Sequence, residues 1–144
     1  MFSKACEYGI KAAVFITQQS IVNKRVSLGD ISDNIDSPKA FTAKVLQILT
    51  RENIIQSLRG AHGGFYISET KYNNVKLKDI VYAIDGDKIY NGCALGFKKC
   101  NKNRPCPMHY QFKSIRDDLK SVLSTTSLHD LATDVEVGIS YLKL

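Results

Sequence analysis

The stretch SPKAFTAKVLQILTRENIIQSLRGAHGGFYIS, residues 37–68, restricts the fold more than any other part of this chain. It opens on a helix start, Ser37 as N-cap and Pro38 at the first helical position. Phe41, Val45, Ile48 and Leu49 then recur at helical spacing as one buried face. Lys39, Ala40, Ala43, Lys44, Gln47 and Arg51 fall on the other. Two short strands follow at once, one around Ile54, Ile55 and Leu58, the other around Phe65, Tyr66 and Ile67, with Gly60, Gly63 and Gly64 in the turn between them. A helix running directly into a tight hairpin leaves few architectures open.

The flanking segments narrow the choice. Residues 3–19 carry Ala5, Gly9, Ile10, Ala13, Val14 and Thr17 along one helical stripe. Ser27 caps a short helix through Leu28, Ile31 and Ile35, with Asp30 completing a capping box. That helix and the one from Ser37 meet across a tight turn, the pattern of a helix-turn-helix, and the hairpin is then its wing. Residues 77–84 read as a short closing helix. A long amphipathic helix is expected from about 108 to 124, with Met108, Phe112, Ile115, Leu119 and Val122 as a near-heptad seam suited to a partner helix. One further helical turn is expected over 126–131.

The expected fold class is therefore mostly α with a small β-hairpin wing: a winged helix-turn-helix plus a long C-terminal dimerisation helix. The expected division is a DNA-binding domain over 1–85, a cysteine-rich loop over 86–107, and a dimerisation helix with tail over 108–144. The net charge of +6 in 144 residues suits a polyanionic partner. No apolar stretch approaches a membrane span, and Lys4, Glu7 and Lys11 interrupt any secretory core, so a cytoplasmic protein without membrane contact is expected.

Within the expected second helix, residues near the N-terminus would reach base edges: Lys39, Ala40, Ala43 and Lys44, with Ser37, Thr42 and Gln47 at the margins. Lysine can reach guanine or phosphate, and glutamine can pair with adenine. The same pattern also describes a solvated helix face. Arg59, Gly60 and His62 form the wing tip, where an arginine on a glycine turn can enter the minor groove.

Cys93, Cys100, Cys106 and His109 lie close together on a loop broken by Gly92, Gly96, Pro105 and Pro107. In a reducing compartment such thiols read as metal ligands or redox centres rather than structural disulfides. Zinc, an iron–sulfur cluster and a metal-free thiol switch all use such groups. Cys6, in the first helix, reads as an inert core residue. An enzyme is disfavoured, since nothing in the chain supplies an oxyanion hole or a substrate pocket.

From about residue 3 to residue 132 the chain resembles the IscR/NsrR-type winged-helix transcription regulators, the Rrf-two family. EYGIKAAVFI, VSLGDIS, SPKAFTAKVLQILTRENII, SLRGAHGGFYIS, LKDIVYAIDG and CPMHYQFKSIRDDL carry the resemblance. It implies a homodimer crossing its long helices, two recognition helices on a palindromic double-stranded DNA operator, and no enzymatic activity. It also implies an iron–sulfur cluster on Cys93, Cys100 and Cys106, [2Fe–2S] before [4Fe–4S], and gene control by iron–sulfur status, nitric oxide or redox change. His109 then corresponds to the fourth ligand of IscR-like members. Glu7, from the partner subunit, corresponds to that of NsrR-like ones. Six residues rather than five separate the first two cysteines, and Ala43 stands where IscR-like proteins carry an acidic reading residue. The uneven cysteine spacing speaks against zinc, and the order of preference is a cluster, then thiol switching, then zinc. The alternative function is a transcription regulator of the same fold controlled by thiol oxidation or by protein interaction.

Overall fold

In the computed structural model, which describes residues 1–144, α1 (Lys4–Ile21) is the central strut. Ser3 caps it, accepting the N–H of Cys6. Its buried residues run from Cys6 to Thr17, and α2 (Leu28–Ile35), α3 (Lys39–Arg51), α5 (Leu77–Asp85) and α8 (Leu128–Glu136) pack around it. Gly9 lets α1 pack closely on α5 and α3 at the crossing. A Cβ there would lie 2.3 Å from Ile84 Cδ1 on α5 and 3.2 Å from Val45 Cγ1 on α3. Ala12, Ile16, Ile31, Ile35, Leu46, Leu49, Ile55 and Ile80 fill the main core.

Ser27 and Asp30 form the expected reciprocal capping box on α2. The next start signal resolves differently. Pro38 itself occupies the N-cap with extended ψ, and α3 begins at Lys39. The tight entry from Asp36, left-handed at φ 53°, leaves Pro38 outside the helix, and its carbonyl accepts the N–H of Thr42. Ser37 makes no cap bond. Its hydroxyl lies 2.5 Å from Thr42 Oγ1.

The buried face of α3 is also rotated from expectation. It is Thr42, Val45, Leu46 and Leu49. Thr42 can be buried because Pro38 O and Ser37 Oγ satisfy its hydroxyl. Phe41 sits on the rim and packs edge-on against Tyr8 of α1, ring centroids 5.6 Å apart.

The strands are shorter than expected. β1 (Gln56–Leu58) and β2 (Gly64–Tyr66) pair antiparallel in the register Gln56–Tyr66, Ser57–Phe65, Leu58–Gly64. Ile54 and Ile55 are not in the ladder. Both N–H groups turn back to the Leu49 carbonyl through left-handed Asn53, and both side chains enter the core. Val26 adds a bridge to Phe65, which makes the wing sheet three-membered at that point.

Two short helices were not foreseen: α4 (Glu69–Asn74) after the wing and α6 (Lys88–Asn91) after α5. α7 spans His109–Thr125. α8 (Leu128–Glu136) exceeds the single turn expected, and Ser127 and Asp130 cap its start in a reciprocal box. Leu128 and Ala132 of α8 are wholly buried in the main core. A smaller core joins Cys6 of α1, Val81 of α5 and Leu123 of α7, with Leu119 beside them. No helix is long and apolar enough to cross a membrane.

Candidate nucleic-acid interface and cysteine cluster

Rotating the buried face of α3 fixes its outer face. Lys39, Ala40, Lys44, Gln47 and Arg51 are exposed, Ser37 and Ala43 are half-buried, and Thr42 is turned into the core. Thr42 is therefore removed from the candidate base-reading set. Ala43 and Gln47 instead line a groove of about 420 Å³ with Leu28, Thr50, Arg51, Ser57 and Phe65. The groove lies between α3 and the wing, and Arg51 and Ser57 were not among the expected contacts.

The wing tip is exposed through Arg59, Gly60, Ala61 and His62. Its shape depends on two glycines. A Cβ on Gly63 would sit 2.1 Å from the Leu58 carbonyl oxygen, and Gly64, at φ 134°, meets Val26 O at 2.8 Å. Arg25 braces the wing from outside. Its guanidinium donates to the His62 carbonyl at 3.2 Å and stacks 5.2 Å from the Tyr66 ring centroid. Sequence gave no signal for Arg25, since its partners are distant along the chain.

The cysteine loop leaves α6 and returns at α7. Cys93, Cys100 and Cys106 are half-buried, and His109 is buried. All four line one cavity of about 230 Å³ with Phe97, Arg104 and the two loop prolines. Within it they stand as two pairs: Cys93 Sγ and Cys106 Sγ are 3.9 Å apart, and Cys100 Sγ and His109 Nδ1 are 3.3 Å apart. No three His, Cys, Asp or Glu side chains converge on a single point. The N–H groups of Leu95 and Phe97, the Cys106 thiol and Arg116 hold the Cys93 thiol below its ordinary value, against burial, which opposes them.

Arg116, seven residues beyond His109 on the same face of α7, reaches back into this loop. Its guanidinium donates to the Gly92 carbonyl and lies 3.3 Å from Cys100 Sγ. No local sequence signal marks Arg116, since its targets lie 16 and 24 residues away along the chain.

Cys6 lies outside the cluster, at no exposure in the small core. Burial first, then the Asp85 carboxylate and Glu7, push its thiol up to about 12, so it stays protonated and inert. Glu7 is paired with Lys4 on the surface of α1 at 2.7 Å.

The expected seam of α7 is divided. Phe112 and Leu119 turn with His109, Arg116 and Leu123 toward the rest of the chain. Met108, Ile115 and Val122 remain outside as one stripe, Ile115 at 59% and Val122 at 55% exposure.

A family model described as "Rrf2: Iron-dependent Transcriptional regulator" matches residues 2–134. The HTH-type transcriptional regulator IscR of Photorhabdus laumondii subsp. laumondii is 23% identical over 112 residues, 78% of this chain and 67% of that protein. Among solved structures, CymR (YrzC), the global cysteine regulator of B. subtilis, superposes with a TM-score of 0.75. It is 22% identical, covering 92% of this chain and 96% of that one. IscR of T. potens gives a TM-score of 0.75 at 19% identity, over 97% and 92% of the two chains. At these identities the structural likeness establishes the winged-helix fold.

Proposed function

This chain belongs to the Rrf2 family of transcriptional regulators, not to an enzyme family, and we propose that it is a homodimer whose operator binding is governed by an iron–sulfur cluster on Cys93, Cys100, Cys106 and His109. The observation that carries the proposal is the pairing of those four groups around one cavity. Metal–thiolate bonds of about 2.3 Å at the tetrahedral angle set two sulfurs about 3.8 Å apart. The Cys93–Cys106 separation of 3.9 Å is of that size. Two pairs suit a centre with two irons and two protein ligands on each, so [2Fe–2S] is preferred to [4Fe–4S]. His109 is the favoured fourth ligand, being in the cavity. Glu7 of the partner subunit is the lesser alternative, since its own-chain partner is Lys4.

When bound, the cluster supplies a redox- and nitric-oxide-sensitive group whose state can be read. The protein's own residues transmit that state. His109 and Arg116 fix the loop to one face of α7; Leu119 and Leu123 of α7 pack near Val81 and Ile84 of α5; and α5 packs on α3. The end of α7 is pinned to the start of α5 by Leu77 N–H on the Thr126 carbonyl, 3.0 Å. Reordering of the loop thus tilts α7, which carries the open stripe of Met108, Ile115 and Val122. That stripe is where the second copy crosses, and its tilt sets the spacing of the two recognition helices. Double-stranded DNA is held by Lys39, Ala40, Lys44 and Gln47, with Ser37 and Ala43 at the edge, and by Arg59, Gly60 and His62 of the wing.

Metal-free thiol control is the second reading. The 3.9 Å approach of Cys93 and Cys106 that fits a tetrahedral metal also lets a modest rotation join the two sulfurs.

Anaerobic purification followed by iron and sulfide determination separates the two. The cluster reading expects a coloured protein with iron and sulfide in equal amounts, lost in the Cys93→Ala, Cys100→Ala, Cys106→Ala variant. A colourless protein free of iron after reconstitution rejects it.

A further inference from the structure

We infer that Arg116 is a positioning residue for the cluster: it clamps the loop to α7 and donates a hydrogen bond to the Cys100 sulfur, which tunes the potential and the retention of the cluster. The inference rests on the cluster reading above, and it assigns a role to a residue outside the ligand set.

The geometry is specific. One guanidinium nitrogen of Arg116 bonds the Gly92 carbonyl, immediately before Cys93, and the other lies 3.3 Å from Cys100 Sγ. The same guanidinium therefore touches the neighbour of one ligand and the sulfur of another. Cys100 also faces His109 Nδ1 at 3.3 Å, so Arg116, Cys100 and His109 form one contiguous set on α7 and the loop. The planar fork of arginine can make both contacts at once, whereas lysine offers a single point of charge. Arg116 is half-buried, and no carboxylate lies within ion-pairing distance of it. Its neighbour Asp117 is engaged by Lys113. The loop itself has no buried apolar residue, so polar ties of this kind hold its shape.

A sulfur bound to iron keeps lone pairs that accept an N–H bond. Such bonds, and a nearby positive charge, favour the more negative, reduced state of a cluster. Second-shell contacts of this type commonly alter metal retention by roughly ten-fold or more. No proton, electron or bond is exchanged by Arg116. Its effect is electrostatic and geometric.

The test compares wild type, Arg116→Gln, Arg116→Lys and the control Lys113→Gln on the same helix, each reconstituted anaerobically. Arg116→Gln is expected to take up iron and sulfide, but with a midpoint potential shifted negative and roughly ten-fold faster loss to a chelator. Arg116→Lys should recover part of the potential shift, since charge is kept, and less of the retention, since the fork is lost. Lys113→Gln should match wild type. A potential and loss rate for Arg116→Gln equal to wild type overturn the inference. Hydrogen–deuterium exchange of residues 92–106 in metal-free protein gives an independent arm. Faster exchange in Arg116→Gln supports the clamp and unchanged exchange rejects it. If wild type takes up no iron, the cluster reading fails while this arm still decides whether Arg116 holds the loop.

Discussion

The winged helix and the cysteine loop are built by different means. In the DNA-binding half, apolar side chains from α1, α2, α3, α5 and α8 share one core, and Ser3, Ser27 and Ser127 cap the starts of α1, α2 and α8. In the loop, residues 92–108 bury no side chain fully; two thiol and imidazole pairs and one arginine supply the ties. The first region is held by the hydrophobic effect, through a core that contains none of the loop's residues. The second is held by polar groups that a metal or an oxidant can rearrange. Under the proposed function, that division lets the reading head stay folded while the loop changes.

The sharpest way to break the comparison is through stability of the metal-free protein. Leu46→Ala removes a wholly buried core side chain and should cost about 2–5 kcal/mol in urea unfolding. Replacing Cys93, Cys100 and Cys106 together by Ala should change the same quantity by about 0.5 kcal/mol or less. Comparable losses from both would show that the loop belongs to the core.

Second in size are effects on DNA. Arg59→Ala should weaken operator binding by about 1–3 kcal/mol while unfolding stays unchanged. Lys44→Ala should weaken binding across sequences and lower the salt slope by about 1. Thr42→Ser offers a contrast, because Thr42 is buried: it should act on stability and leave sequence preference alone. A shift in preference would return Thr42 to the interface.

Smaller still are the helix caps. Ser27→Ala and Ser127→Ala should each cost about 1 kcal/mol. Their partners give a pH signature. Asp30 and Asp130 are held below the ordinary carboxylate value by hydrogen bonds from Ser27 and Ser127. A carboxyl whose folded value is lowered adds stability above its unfolded value, near 3.9, and loses it as pH falls toward the folded one. Unfolding midpoints should therefore drop below about pH 4, and less steeply in Asp130→Asn.

Much of the reading half was legible in sequence because its signals are local: Ser27 with Asp30, the helical stripe of α1, and the glycines of the wing. The structure departs from the sequence pattern where the exact helix start or a distant partner decides the outcome. Thr42 is expected at the margin of the outer face, yet Ser37 and Pro38 satisfy its hydroxyl inside. Phe41 is expected inward from its helical spacing, yet Tyr8 of another helix offers it a rim. Arg25 and Arg116 carried no local signal at all; their targets lie 37 and 16 to 24 residues away. The α7 seam was seen as one stripe, and only packing against α5 and α6 divides it into an inward and an outward half.

The central claim is that the cysteine loop governs the DNA-binding half. Anaerobic titration of an operator-bearing genomic fragment with cluster-loaded and metal-free protein tests it directly. The account predicts affinities differing by about five-fold or more between the two states, and no difference between them for the Cys93→Ala, Cys100→Ala, Cys106→Ala variant. Equal affinities for loaded and metal-free wild type would contradict it.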